Sequence, residues 1–115
     1  MTGKKIAENL RANAHRWARW RYHDDGKYCV IGLKLHELGV PVELWTQQGE
    51  SVSVLFGDLL SKDEMYLLEM LQQANDNTST PEGVIAYAQQ RSEVDFPLEK
   101  LAEAIKANVK ETSNG

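Results

Sequence analysis

The 115-residue chain has the length of one domain, and 42% hydrophobic residues with three Trp and four Tyr mark it as a folding sequence rather than a disordered one. No apolar run approaches the ~20 residues that cross a bilayer, and no apolar segment follows the charged start Met1-Thr2-Gly3-Lys4-Lys5, so neither a membrane span nor a signal peptide is expected. Cys29 is the single cysteine, which excludes an internal disulfide framework and fits a reducing, cytoplasmic setting. The net charge of −4 conceals a split. Residues 1–36 hold eight Lys/Arg against Glu8, Asp24 and Asp25, a net +5, and the remainder carries −9. Such a division steers a charged partner or draws the two parts of the fold together.

The spacing predicts a first helix over residues 4–21, with Ile6, Leu10, Ala14, Trp17 and Trp20 on one apolar stripe. Lys4, Arg11, His15 and Arg19 lie opposite. Turn residues His23 to Gly26 follow. A second helix is expected over 28–38, closed by a left-handed Gly39 ahead of Pro41. Its apolar residues surround most of the circumference, which marks a central helix, and Gly32 suggests close approach of a neighbour. Over 42–56 a short β-hairpin, from alternation around Val42, Leu44, Val52 and Val54, competes with a helix around Val42–Thr46.

A third helix begins after Ser61, which forms a capping box with Glu64, and ends at Asn75-Asp76-Asn77. Thr80 and Pro81 open a fourth, as N-cap and first helical residue. A last helix starts at Pro97 with Leu98, Leu101, Ile105 and Val109 on one stripe, and residues 111–115 read as a frayed tail. The expected fold is therefore mainly α, a compact domain of four to five helices spanning residues 1–115, with the hairpin question open.

Two segments carry a resemblance. Gly26-Lys27-Tyr28-Cys29-Val30-Ile31-Gly32-Leu33 followed by Leu38 is similar to a "G-x-Y-C-x-x-G-x-x-x-x-x-L" helix. Leu71, Asn75-Asp76 and Thr80, with Val84-Ile85-Ala86 beyond, resemble an "L-x-x-x-N-D-x-x-x-S-F-x-x-I-A" segment. Both belong to small proteins common in phages and prophages, which often have Cys-Cys-Leu-Gly where this chain has Cys29-Val30-Ile31-Gly32. The resemblance spans roughly two-thirds of the chain. It implies a mostly helical accessory protein and supplies no activity.

The residues themselves yield three function classes. Packing and capping roles dominate the matched positions, which favours a non-enzymatic protein that binds a host or phage protein partner. The basic face of the first helix, Arg11, His15, Arg16, Arg19 and Tyr22, offers phosphate contacts for a nucleic acid or small nucleotide. An enzyme using Cys29 and His36 is the least favoured class: seven helical residues rise ~10 Å, too far for proton transfer. Trp17, Tyr28, Cys29, Gly32, Leu33 and His36 are accordingly read as structural core. Asn75-Asp76 reads as a locally satisfied turn. Dispersed glycines and the lack of C-x-x-C or H-x-x-x-H spacing give no reason to expect a cofactor or metal. A dimer becomes plausible where Met65 and Tyr66 remain exposed after folding.

Overall fold

The computed structural model describes the backbone of residues 1–19, 26–40 and 58–114, and side chains within these up to residue 107. Trp20, Tyr22 and the hairpin-or-helix segment 42–56 lie outside the described residues. Among the described residues five α-helices follow one another: α1 Gly3–Ala12, α2 Val30–Glu37, α3 Lys62–Asp76, α4 Pro81–Gln90 and α5 Leu98–Asn114, with a 3₁₀ turn at Ala14–Arg16. The mainly helical expectation holds.

Local chemistry accounts for the boundaries. At α3, Ser61 Oγ accepts from Glu64 N at 3.2 Å and the Glu64 carboxylate accepts from Ser61 N at 2.9 Å, the reciprocal capping box. Lys100 donates to the same carboxylate at 2.7 Å, and these contacts, Lys100 first, hold Glu64 down at about 2. Pro81 fills the first position of α4 behind the extended Thr80. Helix α2 closes in a Schellman motif: Gly39 N donates to His36 O, Val40 N donates to Leu35 O, and Val40 is buried. Gly39 has φ +77°, a conformation that disfavours a side chain. Lys106 adds a 2.7 Å bond to the Leu38 carbonyl, tying the end of α2 to α5.

Two expected helices are shorter than the hydrophobic spacing suggests. The first stops at Ala12 because Asn13 turns back on it. Both Asn13 N and Nδ2 donate to Asn9 O, at 3.1 and 2.9 Å, the side-chain competition that makes Asn a poor helix interior. Ala14 is consequently exposed, and Trp17 sits beyond the helix in a parallel bridge with Tyr28. The second helix starts at Val30, so Tyr28 and Cys29 precede it. The last helix, by contrast, runs on to Asn114 through the segment expected to fray.

Packing follows the apolar faces. Val30, Ile31, Gly32, Leu33 and Leu35 are all buried, which makes α2 the central helix expected, between α3 and α5. Helix α1 lies on α4 through Ile6, Ala7 and Leu10. Phe96, entirely buried, joins a single core with Leu68, Leu71, Leu98 and Leu101.

The α1–α4 junction has no room to spare. A Cβ on Gly3 would overlap the carbonyl oxygens of Ala88 and Arg91, backbone atoms that cannot swing away. Gly83 similarly abuts the Thr78 side chain, which explains a glycine with no evident reason in the sequence. Gly3→Ala is expected to destabilise the fold by about 1–3 kcal/mol through overpacking, read as a lower urea midpoint at unchanged slope. A shift below about 0.5 kcal/mol would show that the junction yields.

Candidate functional site

A polar seam joins α1, the 3₁₀ turn and α2. Asn9 on α1 donates to the Glu37 carboxylate on α2 at 3.3 Å and accepts from Asn13 Nδ2 at 3.0 Å. Arg16 Nη1 reaches Asn13 Oδ1 at 3.4 Å, and its guanidinium carbon lies 5.4 Å from the centroid of the Tyr28 ring. The Tyr28 ring stacks on His36, centroids 4.7 Å apart and planes inclined at 23°, while Tyr28 Oη and His36 Nδ1 share a 3.2 Å hydrogen bond. His36 and Glu37 are neighbours on α2, so the contacts close into a ring.

Backbone pairing aims these groups. Tyr28 N donates to Arg16 O at 2.6 Å and Ala18 N to Tyr28 O at 2.8 Å, fixing the turn beside the entry to α2. Tyr28 is 5% exposed, whereas His36 is an exposed residue. His36 is therefore not core, as the sequence reading had it. It projects from the last turn of α2, one ring face against Tyr28. Trp17 is half-buried against the core, and Tyr28, Cys29, Gly32 and Leu33 are buried as expected.

Behind the seam lies Asn75, the one fully buried polar residue among those described. Its Oδ1 accepts from Trp17 Nε1 at 2.7 Å and from Val30 N at 3.0 Å. Its Nδ2 donates to Ala18 O at 3.1 Å and Asp76 Oδ1 at 3.2 Å. Both donors and both acceptor positions of the amide are filled. Three of the four bonds cross to other segments, so the local-turn reading of Asn75 is corrected. The side chain ties α3 to the start of α2 and to the strand-like turn.

Cys29 is the N-cap of α2, its Sγ accepting from Gly32 N at 3.4 Å. Complete burial pushes its thiol up to about 12, despite the lowering contacts from Gly32 and Ile31. A thiol held protonated is a poor nucleophile. Cys29 is buried and His36 exposed, so the two do not share a helix face.

The described residues of the expected basic face stand in different settings. Arg11 is exposed on α1 and bonds Gln89 of α4, and the pair stands between two depressions, one lined by Lys4, Glu8 and Ser92 and the other by Glu82 and Ile85. His15 is exposed on the 3₁₀ turn. Arg19 donates to Asp76 O at 2.8 Å, supporting the end of α3. Of the described residues of this face, only Arg16 joins the seam. Asn9, Asn13 and Glu37 were not singled out from sequence, although an Asn pair four residues apart on one helix was a usable signal. Among the described residues no group of three or more His, Cys, Asp or Glu could hold a metal ion. No helix among them is long and apolar enough to cross a membrane. Comparison with family models, curated proteins and solved structures finds no match to this chain.

Two outcomes follow. Asn75→Ala strands Val30 N–H, Trp17 Nε1 and Ala18 O, and should cost about 2–4 kcal/mol in denaturant unfolding; a loss below about 1 kcal/mol would show that water replaces the amide. The Cys29 thiol has a folded value of about 12 against 9.0, so above pH 9 the unfolded chain sheds this proton more readily. Stability then falls as pH rises from 9 towards 12, by about 1 kcal/mol per unit from this group. Cys29→Ala should make the alkaline decline shallower, and an unchanged slope would contradict the burial effect.

Proposed function

We propose that this chain is a non-enzymatic accessory protein of phage or prophage origin that works in the host cytoplasm by binding a protein partner. The observation that carries this reading is Tyr66. It is 64% exposed on the capped helix α3, the one large hydrophobic side chain so exposed among the described residues. Tyrosine supplies large contact area at low conformational cost and is enriched where binding energy concentrates. Half-buried Met70 stands one helical turn further along the same face. Met65 is 6% exposed and packs in the core, so only Tyr66 of the pair marked for an interface remains outside.

The internal use of Cys29 and Asn75 supports a binding role. The side chains with most chemical character in the matched segments are spent on capping and tying helices. The phage assignment rests on the resemblance of the Tyr28-Cys29 and Asn75-Asp76 segments, and the cytoplasmic one on a single buried thiol.

Tyr66→Ala leaves the core intact and should unfold within about 0.5 kcal/mol of the wild type. Immobilised wild-type protein should retain a saturable protein from nuclease-treated host lysate that Tyr66→Ala retains at least tenfold less. Equal retention by both proteins, or retention abolished by the nuclease, would overturn the reading.

A further inference from the structure

Exposed side chains are ordinarily free to sample rotamers, and His36 is not. It is exposed, yet one ring face lies against Tyr28 and Nδ1 is engaged by the Tyr28 hydroxyl at 3.2 Å. Tyr28 is itself buried and fixed through both backbone bonds of its bridge with Trp17. The imidazole is thus an exposed ring held on one side by a buried one. In the fold the ring partners the hydroxyl of buried Tyr28, while the Schellman closure of α2 is made by backbone groups and does not use it.

We propose that the outer face of His36 is a stacking platform for a nucleobase. Base recognition outside a duplex relies on aromatic or imidazole faces already held in position, with cations near enough to attract phosphate. The seam supplies both: His36 presents the ring and Arg16, the cation, stands beside Tyr28, while Glu37 is engaged by Asn9 and Lys34. Holding the ring beforehand removes the ordering cost that a free side chain pays on binding. Where the Tyr28 hydroxyl donates to Nδ1, Nε2 carries the proton and donates to a base edge or a phosphate oxygen; where Nδ1 donates, Nε2 accepts from a base amino group. The site is separate from Tyr66 and does not depend on the protein-partner reading. It relocates nucleotide contact from the basic face expected on the first helix to the α1–α2 seam.

The test is a proton NMR titration of the His36 ring with adenosine monophosphate, with an adenine single-stranded octamer, and with inorganic phosphate. A base on the ring face moves the His36 resonances upfield saturably, and inorganic phosphate does not. His36→Ala should weaken binding of the nucleotide about tenfold or more, judged by the adenine protons. Tyr28→Phe, which keeps the ring and frees Nδ1, should weaken it several-fold, and His15→Ala should leave it unchanged. An octamer binding more than tenfold tighter than the monophosphate assigns the base to a single strand; equal affinities assign it to a free nucleotide. The proposal fails if neither adenine probe gives a saturable upfield shift at millimolar concentration, or if His36→Ala binds as the wild type does. It also fails if inorganic phosphate reproduces the shift, or if only a captured protein partner perturbs His36.

Discussion

One carboxamide holds three parts of this chain in register. Asn75 sits in the last turn of α3 with no exposed surface, and its four hydrogen bonds reach the indole of Trp17, the carbonyl of Ala18, the first amide of α2 and the adjacent Asp76. A buried amide is costly unless every position is filled, and here each one is. Apolar packing alone tolerates sliding between helices. A filled amide tolerates little, because moving any partner leaves a polar atom dry. The placement of α2 against α3, and of the turn that carries Arg16 and Tyr28, follows from that penalty.

The start of α2 shows the same economy. A helix begins with amides that lack intrahelical partners, and a buried start must satisfy them from elsewhere. Val30 N is taken by Asn75 across the core, and Gly32 N by the thiol of Cys29 within the chain. Sulfur is a weak acceptor, but it is small and apolar enough to sit among Ile31, Leu33 and Leu68 without desolvation of a hydroxyl or carboxylate. The residues that stood out as motifs in the sequence thus do architectural work. Tyr28-Cys29 and Asn75-Asp76, distant in sequence, meet at one helix end.

The features legible in the sequence were those with local causes. Ser61 with Glu64, Thr80 with Pro81, and Gly39 each act within a few residues, and each stands where the pattern placed it. The continuous apolar run of α2 correctly marked a central helix. The first helix was overextended because Trp17 falls at helical spacing from Leu10, and spacing does not register that Asn13 caps the helix at Ala12. Trp17 is drawn inward by its bond to Asn75, 58 residues away. His36 was assigned to the core by the same logic. Leu33, Leu35 and Leu38 stand close to it in the chain, yet it is exposed, as its neighbour Glu37 is. Asn75 itself was the largest misreading, taken for a locally satisfied turn residue, since nothing local separates that from a buried polar strut.

The strut and the seam are two sides of one turn. Residues 16–18 face inward through the Trp17 indole and the Ala18 carbonyl, both held by Asn75, and outward through the Arg16 side chain over Tyr28. Tyr28 is bonded on one backbone side to Arg16 and on the other to Ala18, so its ring cannot shift without straining the inner contacts. His36 takes its orientation from that ring. The rigidity of an exposed imidazole is therefore inherited from a buried amide through Ala18, Tyr28 and the stack between them. Surface groups positioned through a satisfied core are better suited to recognition than equally exposed ones on a helix face such as Lys5 or Ala12, because their geometry is set before a ligand arrives.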